Sequence, residues 1–365
     1  MNACLGPDGA FANPASPHVE GRRAMGLIDT AREQIAALIN VDGKRLVFTS
    51  GATEANNLAL SGVLHKADRD AHLITSAIEH RSVLDVAGAL EKNGVQVTRL
   101  APERDGIVAA AQVAAAIRPE TLLVSIMQVN NEIGSIQDIE SIARICHDAD
   151  VLFHVDAAQG AGKVPLDIAG WGIDLCSLTA HKINGPKGIG ALYLREGVAL
   201  EPIIRGGDAM LGVRAGTLPT HQIVGFGKAS ELVRENEEAG ELAARREFLW
   251  QGLSRIEACR RNGDPAHSAP HILSVSFAGV DGESLRFALA DIAVSAGSAC
   301  TSSDPEPSHV LRSLGLSDAL AESTLRFGVG RFTTQDELAR AIDRVTVEVE
   351  RLLEIGRGAP AWCST

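Results

Sequence analysis

A carboxylate and an amine 26 positions apart (182 − 156) are the residues best suited to chemistry in this chain. Asp156 lies in His154-Val155-Asp156-Ala157-Ala158-Gln159 and Lys182 in Thr179-Ala180-His181-Lys182. Asp156 closes an apolar run, Val151 to Val155, where a solitary carboxylate is expensive to desolvate. Lys182 follows a second run, Leu175 to Leu178, and precedes Gly185-Pro186-Lys187-Gly188-Ile189-Gly190. Pyridoxal phosphate needs an amine for a Schiff base, an anion against its pyridine nitrogen and donors for its phosphate. The order of these residues suggests a pocket for that cofactor. In it, nearby cations weaken Lys182's hold on its proton, making it a workable nucleophile and base. Thr179 and His181 would point at the phosphate, and Gln159 at the ring's phenolic oxygen. A solvated lysine and an aspartate that only caps a helix are the ordinary alternatives.

Other segments add to the set. Ser50-Gly51-Ala52-Thr53 opens a helix with free N–H groups and hydroxyls, an anion site in outline and simple capping otherwise. His80 follows a strand-like run and could stack on a ring and move protons, although most histidines are structural. Ala296-Gly297-Ser298-Ala299-Cys300-Thr301-Ser302-Ser303 surrounds a cysteine with small polar residues, which suits an exposed thiolate on a mobile loop. An incidental loop cysteine is the plain alternative. Arg326 sits in the apolar run Leu325-Arg326-Phe327, where a bidentate clamp on a carboxylate explains its burial.

Positioning these groups requires a sheet. Strand-like runs at Leu46–Thr49, His72–Thr75, Val95–Leu100, Leu122–Met127, Val151–Val155, Leu175–Leu178 and Ala191–Leu194 alternate with helical patterns such as Ala24–Ile39 and Ile139–His147. This spacing predicts an α/β fold with a mostly parallel, doubly wound sheet. Ligands on such sheets sit beyond the carboxyl ends of the strands, where Thr53, Asn131, Asp156 and Lys182 fall. A charged helix from Val233 to Ile256 is expected to leave that domain, and Ile272–Phe277 alternates like a strand with one wet face. The expected division is a large domain over 1–237 and a smaller α+β domain over 238–365.

The chain is 365 residues long, 45% hydrophobic and 22% charged, with a formal net charge of −12 that disfavours nucleic-acid binding. No run nears the roughly 18 apolar residues of a membrane span, and no secretory signal is visible. Six scattered cysteines without Cys-x-x-Cys pairs argue against zinc and structural disulfides, so a cytoplasmic setting is expected.

Taken together, the chain resembles the NifS/IscS-type cysteine desulfurases, pyridoxal-phosphate enzymes of fold type I in the class V aminotransferase group. The resemblance runs collinearly from Asn13-Pro14-Ala15-Ser16-Pro17-His18 through Ser50–Glu54, Val129–Glu132, His154–Gln159, Thr179–Gly190, Arg214–Thr217 and Ser298–Ser302 to Leu325–Thr333. It implies that Lys182 is the Schiff-base lysine, Asp156 the pyridinium partner, Gln159 the residue on the ring oxygen and His80 the stacked histidine. Ala52, Thr53, Thr179 and His181 would hold phosphate, with Thr217 reaching across from a second subunit of a homodimer. Asn131 and Arg326 would hold the substrate carboxylate, and Cys300 would take the sulfur. The implied reaction converts L-cysteine to L-alanine, leaving a persulfide on Cys300 for an acceptor protein in iron–sulfur cluster assembly or tRNA thiolation. The family's first strand, with an Ala-Thr-Thr turn, has no counterpart after Met1-Asn2-Ala3-Cys4, and Met210-Leu211-Gly212 stands where relatives read Glu-Arg-Gly. A truncated, weakly active or inactive paralogue, or a lyase acting on another amino acid such as selenocysteine, shares many of these residues. The thiol at Cys300 favours the desulfurase.

Overall fold

The computed structural model describes residues 1–6, 8–65, 70–207, 210–236, 238–296 and 307–358. They cluster into two compact units, one of 1–100, 108–129 and 137–237, the other of 101–107, 130–136 and 238–365. Among the described residues no helix is long and apolar enough to cross a membrane.

The first unit runs α1 (Val19–Leu38), β1 (Leu46–Thr49), α2 (Ala52–Leu64), β2 (His72–Ser76), α3 (Arg81–Lys92), β3 (Gln96–Leu100), α4 (Ala110–Ala116) and β4 (Thr121–Met127). It continues through α5 (Ile139–Asp148), β5 (Leu152–Asp156), α6 (Ile168–Trp171), β6 (Leu175–Thr179), β7 (Gly190–Leu194) and α7 (Thr220–Asn236). The sheet order is β1-β7-β6-β5-β4-β2-β3. Strands β2 to β6 pair in parallel, while β7 runs antiparallel to both β6 and β1.

Both faces of this sheet are covered, which is why its strands read as continuous apolar runs. Val47, Leu123, Leu175 and Leu192 pack with Leu58 of α2 and Val83 of α3. Their neighbours in sequence, Phe48, Val124, Cys176 and Ala191, face a second core with Ile28 and Ile35 of α1, Ile142 of α5 and Phe226 of α7. The period of two sends alternate side chains to opposite layers.

The second unit holds α8 (Ala239–Leu253), β8 (Cys259–Arg261), β9 (Ile272–Phe277), α9 (Gly282–Ala288), β10 (Ser295–Ala296), α10 (His309–Ser313), α11 (Asp318–Glu322), β11 (Thr324–Gly328) and α12 (Gln335–Gly358). Its sheet is antiparallel in the order β10-β11-β9-β8. Two expectations are corrected here. The single helix over Val233–Ile256 is two helices, α7 ending at Asn236 and α8 starting at Ala239. An acidic Glu235 at a helix C-terminus opposes the dipole, and Asn236 is a weak helix former, so α7 ends there. The polar face of β9 is not wet: all six residues are buried. Ser274 and Ser276 accept from Asn262 Nδ2 at 3.1 and 2.9 Å, and Ser276 also bonds Thr324 at 2.7 Å. Alternation marks polarity, and a buried amide can satisfy a polar face as water would.

Candidate active site

Asp156 is the last residue of β5, and Thr179 the last of the neighbouring parallel strand β6. A 3-10 turn, Ala180–Ile183, follows directly and carries His181 and Lys182. It ends on Asn184 in the left-handed region, φ 62°, and Gly185 N–H donates back to Ala180 at 2.9 Å. Thus Asp156 and Lys182 leave the same end of adjacent strands. Lys182 is half-buried, whereas Asp156 and Gln159 are buried. Lys163, just beyond them, has its ammonium lowered to about 7 by burial and then by the charge of Lys182. Lys163 and Lys182 are therefore close enough to couple electrostatically, and the sequence reading did not name Lys163.

The start of α2 is a second component. Gly51 caps it with φ 155° and supplies no side-chain bond, so among the described residues the first N–H groups of this 13-residue helix have no side-chain cap. A Cβ on Gly190 would lie 2.7 Å from the Gly51 Cα, so glycine there lets β7 pass against the helix start. Thr179 Oγ1 bonds His181 Nδ1 at 2.9 Å and would lie only 3.7 Å from a Cβ on Gly51. Burial and then the charges of Lys182, Lys187 and Lys163 lower the His181 imidazole. Burial works to raise the Glu54 carboxyl, but it lies below its usual range through Arg214, 2.9 Å away, and the Ser50 N–H at 2.7 Å. This pair ties the α2 start to the Arg214-Ala215-Gly216-Thr217 segment. Thr53 and Thr217 are exposed, and Thr217 makes no side-chain hydrogen bond among the described residues.

Asp156 lies in a third, buried cluster. Its Oδ1 accepts from Ala158 N–H at 2.9 Å and its Oδ2 from Asn56 at 2.7 Å. Each oxygen keeps acceptor capacity for a further donor. Deeper in the sheet, His154 bridges Ser125 and Ser177 at 2.8 and 2.9 Å, its ring lowered to about 3 by burial. Half-buried His80 caps α3. Fully buried Glu79 accepts from Ser76 and from Met127 N–H at 2.7 and 2.9 Å. Burial, and also the Asp156 charge, pushes the Glu79 carboxyl up to about 8 against those two bonds.

A pH effect follows. The folded chain holds the Glu79 proton from its ordinary 4.5 up to about 8, while the unfolded chain releases it. Its stabilising contribution is therefore complete below 4.5 and lost as pH rises to 8. Glu79→Gln keeps an acceptor for Met127 and Ser76 without the titration. We expect this variant to gain stability relative to the parent across that window, by up to about 1.4 kcal/mol per pH unit. Urea midpoints at pH 5 and pH 8 measure it, and an equal difference at both would contradict it. His154 and His72, lowered to about 3 and about 4, act oppositely below 6.5 but cancel in the comparison.

In the second unit, Arg326 of β11 donates from Nη1 to the Asn131 carbonyl at 2.6 Å. Arg326 pairs in register with Ser295 of β10, the strand from which the chain enters the cysteine segment. Cys300 itself lies outside the described residues. Asn131 follows β4 in sequence yet belongs to the second unit with Arg326.

The donor set fits pyridoxal phosphate: an uncapped helix start with hydroxyls for the phosphate, a carboxylate with spare acceptor capacity, and an amine nearby. Unforeseen from sequence were Asn56, Ser82, Glu79, Lys163 and the Glu54–Arg214 pair. For Asn56 and Ser82 the available signal was polarity at buried helical positions, one turn into α2 and in the first turn of α3.

The family model for class V aminotransferases matches residues 9–341. The cysteine desulfurase IscS of Shewanella piezotolerans is 49% identical over 368 residues, spanning 99% of this chain and 90% of that protein. A solved NifS-like protein superposes with a TM-score of 0.86 at 32% identity, covering 94% of this chain and 93% of the other. SspA, solved in complex with cysteine, gives 0.80 at 39% identity, covering 89% and 92%.

Proposed function

Since the chain belongs to the class V aminotransferase family, we propose that it works as a cysteine desulfurase, with pyridoxal 5′-phosphate as cofactor, Lys182 as its anchor and Cys300 as its sulfur carrier. L-cysteine becomes L-alanine. When bound, the cofactor supplies an electron sink for bonds at the substrate α-carbon. The protein's own groups do the rest. Lys182 Nζ holds the cofactor and then moves the α-proton. Asp156 would hold the ring nitrogen, Gln159 the ring oxygen, and His80 the ring face. The Ala52 and Thr53 amides, with the Thr53, Thr179 and His181 side chains, take the phosphate, and Thr217 joins them from a second subunit. Arg326 and Asn131 orient the substrate carboxylate.

The Cys300 thiolate attacks the substrate sulfur: an S–S bond forms as the C–S bond breaks, and the carbon takes up a proton to become the alanine methyl. The persulfide then passes to an acceptor protein, a cluster scaffold or a tRNA-thiolation carrier, in the cytoplasm. The single supporting observation is that Asp156 and Lys182 leave the same end of neighbouring strands beside the uncapped α2 start.

The test is direct. Holoprotein given L-cysteine and a thiol reductant should release alanine and sulfide in equal amounts. Cofactor-loaded, coloured protein that yields neither would refute the reading.

A further inference from the structure

Asp156 and His80 are joined by two side chains that the catalytic reading does not use. Asn56 is fully buried on α2, and Ser82 is buried in the first turn of α3. Asn56 Nδ2 lies 2.7 Å from Asp156 Oδ2 and 2.8 Å from Ser82 Oγ. Ser82 Oγ in turn lies 2.8 Å from His80 Nδ1, and Ser82 N–H donates to the same nitrogen at 3.1 Å.

The donor directions in this chain follow from chemistry. An ionised carboxylate only accepts, so the nitrogen of the Asn56 amide must face Asp156. One of its two protons goes to Asp156 and the other to Ser82. The Ser82 oxygen, already accepting, has its own proton left for His80 Nδ1. A backbone N–H can only donate, so Nδ1 must carry a lone pair. Both donors agree, and the proton of a neutral His80 ring is left on Nε2. The opposite flip of Asn56 would place an oxygen against Asp156. The observed one leaves Asn56 Oδ1 buried with no hydrogen-bond partner among the described residues. That cost is tolerated while both N–H groups stay engaged.

We propose that Asn56 and Ser82 are positioning residues that carry the polarity of the Asp156 carboxylate to His80 and hold its ring in the Nε2–H form. His80 then presents a donor, not a lone pair, at its second nitrogen. The relevance to catalysis rests on the reading of His80 as the residue on the cofactor face. The tautomer itself does not.

The test is nitrogen NMR on the full chain labelled with 15N-histidine, with and without cofactor, and with His80 assigned from His80→Gln. The parent protein should show an acceptor-type Nδ1 and a protonated Nε2. Ser82→Ala and Asn56→Leu should each raise the minority tautomer, by up to about tenfold, the weight of one net hydrogen bond. Ser82→Thr should restore the parent spectrum, and Ser82→Ala should lower kcat for alanine formation with KM for L-cysteine unchanged. A proton on Nδ1 in the parent, or an identical spectrum in Ser82→Ala, would overturn the proposal. Because Ser82→Ala removes a single oxygen, it remains decisive if Asn56→Leu does not fold. Failure of alanine formation with the expected spectra would refute the desulfurase reading alone.

Discussion

Lys182→Ala, purified and saturated with pyridoxal phosphate, is expected to lose the visible band of the bound cofactor. It should also form alanine from L-cysteine more than about 10³-fold more slowly, as befits loss of both an anchor and a proton carrier. The fold should survive, because the backbone N–H groups of Asn184 and Gly185 both close the 3-10 turn onto the Ala180 carbonyl. Lys182→Arg should be as inactive, since a guanidinium keeps the charge but is not deprotonated in proteins. That pair separates the need for a cation from the need for an amine. Lys163 is the essential control. Its ammonium, lowered to about 7, is another nearby amine available near neutral pH. Lys163→Ala should retain the band. If instead Lys182→Ala stays coloured and Lys163→Ala does not, the anchoring role moves to Lys163.

How far these residues could be read in advance depended on whether chemistry and backbone shared the same stretch of chain. The places of Asp156 and Lys182 were legible because one closes an apolar run and the other lies four residues beyond the next, and a doubly wound sheet puts strand ends at its ligand side. The helix start at Ser50-Gly51-Ala52-Thr53 was legible for the same reason. The Asn56 network was not: Asn56 reaches Ser82 across 26 positions and Asp156 across 100, and no local spacing encodes such pairs. Glu79 sits beside His80 in sequence, but its raised carboxyl depends on full burial, which a single glutamate does not announce. On β9 the alternation of Ser274 and Ser276 was read correctly as polarity and wrongly as exposure, because Asn262 and Thr324 supply the bonds that water would have made. Segments 101–107 and 130–136, which cluster with the second unit, are excursions that a single boundary along the chain cannot express.

Cys300→Ala should behave in the opposite way to Lys182→Ala, keeping the cofactor band and its response to L-cysteine while losing persulfide formation by at least about 10²-fold. The other thiols explain why no substitute is expected. Six cysteines are present, and four of them (Cys4, Cys146, Cys176 and Cys259) are free and buried. Burial, aided by Asp174, pushes the Cys146 thiol up to about 12. Burial does the same at Cys259 against the charge of Arg260, and burial with the Asp156 charge raises Cys176 well above its ordinary 9. Sulfur attack requires a thiolate, so these three are silent at neutral pH. Only Cys300 and Cys363 lie outside the described residues, which makes Cys363→Ala the informative comparison. That variant should form persulfide at the parent rate, measured by alkylation and mass of the intact chain after one turnover. Undiminished persulfide in Cys300→Ala, or its loss in Cys363→Ala, would reassign the sulfur carrier while leaving the cofactor site unaffected. On the proposed reading the two halves of the chemistry are thus separable, because Lys182 lies in the first unit and Cys300 follows β10 of the second in sequence.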